Sequence, residues 1–110
     1  MGKFIKGDVV VLPFPFSDLS ASKKRPALVI TQLVGDDVIL CQITSTPRAD
    51  VYCIPLINTD FISGRLDHDS TIRPNVLFTA DSRKICYCAG RVSPNKVREV
   101  VEKIIEIVRV

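Results

Sequence analysis

Gly7-Asp8-Val9-Val10-Val11-Leu12-Pro13-Phe14-Pro15-Phe16-Ser17-Asp18 continues through a polar stretch to Lys23-Lys24-Arg25-Pro26 and then Ala27-Leu28-Val29-Ile30. β-Branched apolar residues suit a pleated, buried surface, and proline cannot donate to a sheet ladder. A first strand over Asp8 to Leu12 is therefore ended by Pro13 and Pro15. Pro26 pushes Arg25 into an extended conformation and opens a second strand, Ala27 to Thr31. Between them, Phe14 to Arg25 has no periodicity and reads as a long loop, of a length commonly functional in compact domains. Lys23, Lys24 and Arg25 close that loop, so the layout predicts a cationic mouth at one end of a small barrel.

Working outward, Gly35-Asp36-Asp37 is turn chemistry, followed by a third strand, Val38 to Thr44, with Ile39, Cys41 and Ile43 alternating against Leu40, Gln42 and Thr44. Ser45 to Asp50 reads as a second loop. Val51 to Ile57 is a strand that Pro55 sends to an edge or a bulge, and Asn58 to Gly64 is a turn or a single helical turn. The polar segment Arg65 to Ser70 leads to a strand over Ser70 to Arg73. Pro74-Asn75 then makes a turn, with a short strand at Leu77 to Thr79 and a longer one over Lys84 to Val92 that bends at Gly90. Ser93-Pro94 is a helix start, a hydroxyl cap before a proline at the first helical position. Val97, Val100, Val101, Ile104, Ile105 and Val108 then draw one apolar stripe along a helix. Glu99 with Lys103 and Arg98 with Glu102 are spaced to pair on its outer surface. The predicted class is mainly β with a C-terminal α-helix that covers a barrel or sandwich.

A chain of 110 residues is long enough for one core and too short for two, so residues 1–110 are expected to form a single domain. With 46% hydrophobic and 25% charged residues, it is a folded domain and not a disordered tail. A net charge of +3 is too small to argue nucleic-acid binding by itself, so the clustering at residues 23 to 25 must carry that argument. No apolar run approaches the roughly 20 residues of a spanning helix, and no secretory leader is visible, so a cytoplasmic protein without a membrane partner is expected. Cys41, Cys53, Cys86 and Cys88 all lie in apolar β-type runs and read as small core hydrophobes, without the paired Cys-x-x-Cys knuckles of zinc sites. Neither a metal nor a nucleotide cofactor is expected, because there is a single histidine and no phosphate-binding glycine motif. Asp67-His68-Asp69 reads as a solvated loop.

What remains is polar residues at strand ends: Arg25, Thr44, Ser45 and Arg73. A barrel gathers such ends, so guanidinium and hydroxyl groups there can converge on one anion. The stretches Gly7 to Asp18, Lys24-Arg25-Pro26-Ala27-Leu28-Val29-Ile30, Cys41-Gln42-Ile43-Thr44-Ser45 and Ser70-Thr71-Ile72-Arg73-Pro74 resemble, in order, the motifs of the MazF/PemK toxin family. Gly90-Arg91-Val92-Ser93 with the following amphipathic helix is similar to that family's C-terminal end. The resemblance spans nearly the whole chain.

It implies an SH3-like barrel, a homodimer, and a metal-independent, sequence-selective endoribonuclease acting on single-stranded RNA. It also implies silencing by a cognate antitoxin, in a complex that binds DNA. Arg25 and Thr44 correspond to the family's active-site arginine and threonine, and Ser45 and Arg73 match neighbouring positions for substrate contact or catalysis. RNA supplies its own nucleophile, the 2′-hydroxyl, and an arginine supplies a planar fork for phosphate oxygens. Arg25 takes that role, with proton donation as a second one. Thr44 holds a phosphate oxygen or the ribose. Lys23 and Lys24 attract phosphate, and Asp18 completes the expected substrate-binding set with Asn75. Where some family members carry an acid after the Ile-Arg motif, Asn75 stands here and cannot exchange a proton near neutral pH. The general base is thus unassigned, with Asp18, His68 and Asp81 as substitutes. A noncatalytic barrel that binds RNA or an antitoxin-like protein is the alternative.

Overall fold

In a computed structural model describing residues 4–14, 23–46 and 50–109, the apolar runs become seven strands and one helix. The strands are β1 (Asp8–Pro13), β2 (Lys24–Gln32), β3 (Asp37–Thr44), β4 (Ile54–Leu56), β5 (Phe61–Gly64), β6 (Ser70–Asp81) and β7 (Tyr87–Val92), and α1 is Pro94–Arg109. All pairings are antiparallel in one sheet of order β4-β6-β3-β2-β1-β7-β5. Two single 3₁₀ turns, Asn58–Asp60 and Ser82–Lys84, join β4 to β5 and β6 to β7. The sheet curls into a half-barrel with α1 against it, so the expected class, mainly β with a C-terminal helix, is what the chain adopts.

The unbroken apolar run of β1 follows from burial on both faces of the sheet, where a strand need not alternate with polar residues. Val9, with Leu28, Cys41, Ile43, Ile72 and Val100 of α1, belongs to the core inside the curl. Val10 and Leu12 belong to a second cluster with Phe14, Val29, Leu40 and Phe78 on the other face. There the Phe14 and Phe78 rings meet edge to face, with centroids 4.9 Å apart.

Several boundaries differ from the sequence reading, each for a local reason. Ser70 to Thr79 is not two strands around a turn but part of one, β6. Cys41 faces Leu77 and the next residue, Gln42, faces Arg73, so Pro74, Asn75 and Val76 bulge out of a continuous ladder. Val51 and Tyr52 form a turn whose N–H groups are held by Asp50, since the Tyr52 and Cys53 amides donate to its Oδ1 at 2.9 and 3.0 Å. The fourth strand accordingly begins only at Ile54. Phe61–Gly64, read as turn, pairs with β7. Lys84 lies in a 3₁₀ turn, and the last strand starts at Tyr87.

The helix begins as predicted, and Ser93 Oγ accepts the Lys96 amide at 3.2 Å. Its outer charges pair differently. Lys96 meets Glu99 at 3.1 Å and Lys103 meets Glu106 at 3.4 Å, both three residues apart, in place of the four-residue pairs expected. Val100 is fully buried and Val97 and Ile104 pack on the core, but the stripe fades outward, with Val108 exposed. Of the four cysteines only Cys41 is a core residue; Cys53 is half-buried and Cys86 and Cys88 are exposed. Cys86 precedes β7, and β5 pairs only with the Gly90 to Val92 end, which leaves Cys88 on an open edge. No helix among the described residues is long and apolar enough to cross a membrane.

Candidate functional site

Strand register brings five chain segments to one end of the half-barrel. Leu12 and Pro13 at the end of β1 stand opposite Arg25 and Lys24 at the start of β2. Ala27 opposite Gln42 sets that start beside the end of β3, and Thr44 opposite Thr71 adds the start of β6. Val11 opposite Tyr87 adds the start of β7. The segments enclose a cleft of about 310 Å³, walled by Lys23, Lys24, Arg25 and Pro26, by Thr44, Ser45 and Thr46, by Leu66, Asp67 and His68 of the β5–β6 loop, and by Ser70 and Tyr87.

Among the described residues of this wall, three cations face one carboxylate, so the cleft favours an anion. Thr44 Oγ1 accepts the Thr46 amide at 3.1 Å, which fixes the hydroxyl at the rim while its own proton can still be donated. The loop opposite is also held. Leu66 packs on the inner core, and Ser70 Oγ donates to the His68 carbonyl at 2.9 Å. Short local bonds of this kind fix the backbone and let the neighbouring side chains point outward.

Arg25, Thr44, Ser45, Lys23 and Lys24 thus converge, whereas Arg73 and Asn75 do not line this cleft. Arg73 braces the sheet. Its Nη1 donates to Gln42 Oε1 at 3.0 Å, its Nη2 lies 3.6 Å from Asp50 Oδ2, and its buried Nε has no partner among the described residues. Hydrogen bonds from the Cys53 thiol and the Tyr52 amide, with Arg73 nearby, hold the Asp50 carboxyl below its ordinary range. Asn75 is exposed on the β6 bulge. Asp18 lies outside the described residues. Asp81 sits at the far end of β6, opposite Asp37, where bonds from the Arg83 guanidinium and amide hold its carboxyl down at about 2. Asp67 and Tyr87 are titratable wall residues that the sequence left out, whereas His68 stood there only as one substitute for the general base. The only sequence signal for the loop was its run of polar residues, which an idle solvated loop shares, and Tyr87 gave none.

A larger cavity, about 460 Å³, lies between α1 and the β5–β7 side, with Ile62, Val97, Val101 and Ile105 in its walls. Two of its charged residues already have partners, Arg91 with Asp8 and Arg98 with Asn95. Its size is not matched by chemistry, so the smaller cationic cleft is the candidate site. Among the described residues no three His, Cys, Asp or Glu side chains group as metal ligands.

Fold and site define a small antiparallel half-barrel with a cationic cleft at its strand ends. The chain belongs to the PemK-like, MazF-like toxin family of type II toxin–antitoxin systems, whose model matches residues 5–108. Solved structures share the fold at low identity. MazF in a MazE–MazF structure from Deinococcus radiodurans is similar at 17% identity and a TM-score of 0.76, over 98% of this chain and 97% of that one. The Mycobacterium tuberculosis toxin MazF-mt6 gives 18% and 0.72 over 94% and 97%. A mycobacterial endoribonuclease in complex with its cognate antitoxin gives 13% and 0.71 over 98% and 97%. No curated protein matches by sequence.

Proposed function

We propose that this protein is a toxin that cleaves single-stranded mRNA as a metal-independent, sequence-selective endoribonuclease in the cytoplasm. The observation that carries the reading is the convergence of Arg25, Lys23 and Lys24 with Thr44 and Ser45 in one cleft. The 2′-hydroxyl attacks the adjacent phosphorus, and negative charge builds on the non-bridging oxygens as the 5′-oxygen leaves. Arg25 offers a planar set of N–H donors to those oxygens, and such preorganised donors act on charge as it develops. Thr44 orients a phosphate oxygen or the ribose, Ser45 contacts substrate beside it, and Lys23 and Lys24 draw the backbone in. Arg73 acts as a brace for the end of β3 rather than as a substrate ligand. The products end in 2′,3′-cyclic phosphate and 5′-hydroxyl, so DNA is not cut.

Family membership and the antitoxin-bound neighbour support a cognate antitoxin as partner. The proposed working form is a homodimer. The test incubates purified protein with labelled single-stranded RNAs of varied sequence in chelator. Wild type is expected to yield cyclic-phosphate ends, and Arg25→Ala to cleave roughly 10²–10³-fold more slowly, as when a charge-stabilising donor is lost. Equal survival of RNA with wild type and Arg25→Ala overturns the nuclease. Retained RNA binding in that case identifies a noncatalytic binding barrel.

A further inference from the structure

We propose that His68 is a catalytic residue of this cleft, the proton donor to the departing 5′-oxygen. The inference rests on the nuclease reading above and moves to His68 the proton donation expected of Arg25 as a second role. Cleavage of RNA forms a 2′-oxygen–phosphorus bond and breaks the bond from phosphorus to the 5′-oxygen. The 2′-hydroxyl proton leaves to water and the 5′-oxygen must gain one. A donor has to hold a proton at neutral pH and still release it. A carboxylic acid of ordinary strength has already lost its proton there, and lysine, arginine and tyrosine hold theirs too firmly. Imidazole does both, and the chain has one histidine.

Its position is what the sequence did not disclose. His68 forms the wall of the same cleft as Arg25 and Thr44, on a loop fixed at both ends by Leu66 in the core and by the Ser70 bond to its own carbonyl. Among the described residues the other substitute, Asp81, is absent from this wall. Asp81 is displaced along β3 and β6 by the seven residues from Thr44 to Asp37, roughly 24 Å of extended chain. Asn75 cannot donate a proton usefully and sits on the bulge. In the step, the His68 imidazolium gives its proton to the 5′-oxygen as the bond to phosphorus breaks, and the neutral ring recovers a proton from solvent.

Among the described residues, the charged and titratable groups that line the cleft with His68 are Asp67 on its own loop, Lys23, Lys24 and Arg25 of the β2 side, and Tyr87 of β7, with Asp69 next to it in the chain. His68→Gln, with His68→Asn as a second variant and circular dichroism to check folding, is assayed beside wild type and Arg25→Ala. Two RNAs are used, one ordinary and one with sulfur in place of the scissile 5′-oxygen, a leaving group that needs no acid. On ordinary RNA both His68 variants are expected to lose about 10²–10⁴-fold in kcat with little change in KM. On the sulfur substrate they are expected to return to within about tenfold of wild type, while Arg25→Ala stays slow. Unchanged kcat in the variants, or an equal loss on both substrates, overturns the assignment of His68 while leaving the nuclease intact. Failure of wild type to cut either RNA overturns the nuclease reading and this inference with it.

Discussion

Asp8 shows how one residue can be legible as a motif and illegible as a role. Its place after Gly7 resembles a family signature, yet it does not lie in the cleft. Buried to 5% exposure, its Oδ2 accepts the Ile5 amide at 3.0 Å and its Oδ1 accepts Arg91 Nε at 2.9 Å. The first and last family motifs therefore clasp each other and serve the fold. Cys41 is the opposite case, a residue read as core that proves fully so. Burial pushes its thiol up to about 12, against an ordinary value of 9.0. Between those values the unfolded chain has lost this proton and the folded chain keeps it, so unfolding releases a proton and stability falls as pH rises. Wild type is expected to lose about 1.4 kcal/mol per pH unit more than Cys41→Ala above pH 9. Urea unfolding of both proteins at stepped pH measures it, and parallel alkaline limbs would contradict the burial argument.

At the scale of elements, the four-residue strand β5 shows the tightest constraint. Gly64, with φ of +68°, crosses Gly90 where β5 pairs with β7. A Cβ on Gly64 would run into the Ala89 carbonyl oxygen and sit 2.6 Å from Gly90 Cα, both backbone atoms that cannot swing aside. Gly64→Ala is expected to cost about 2 kcal/mol or more, combining left-handed backbone strain with that clash. Gly35 is the internal control, since its φ is +87° and a Cβ there meets nothing within 4 Å, so Gly35→Ala should cost only the strain. Thermal melts of the two variants compare them, and equal losses would rule out the close β5–β7 approach. The same elements show what a single sequence can disclose. The strands β1 to β3 and the capped helix were legible because proline, charge and apolar periodicity mark them locally. The join across Pro74-Asn75 was not, because a bulge is decided by the partner strand, and nothing in residues 70 to 81 says that β3 continues beside them. Arg25 and Thr44 were legible as strand-end polar groups, but His68 entered the site only through the curl that folds the β5–β6 loop over those ends.

For the whole molecule, the curl turns a small net charge into a directional one. The chain carries only +3, yet Lys23, Lys24 and Arg25 share the cleft with a single described carboxylate. Asp36, Asp37 and Asp81 gather at the opposite ends of β3 and β6, and Arg83 lies 2.7 Å from Asp81 and 3.9 Å from Asp36. Single-stranded RNA should therefore approach one end of the half-barrel, and its affinity should report those three cations instead of the net charge. Each phosphate neutralised on a single strand contributes about −0.7 to the slope of log affinity against log salt, so three contacts give a slope near −2. Raising salt from about 50 to about 200 mM should then weaken binding roughly twentyfold, measured with a 2′-deoxy strand that cannot be cut. Lys24→Ala should shallow the slope by about 0.7, while Lys103→Ala, on α1 outside the cleft wall and paired with Glu106, should leave it unchanged. A slope near zero, or the same slope in both variants, would mean that the cationic end of the half-barrel is not where the strand lies.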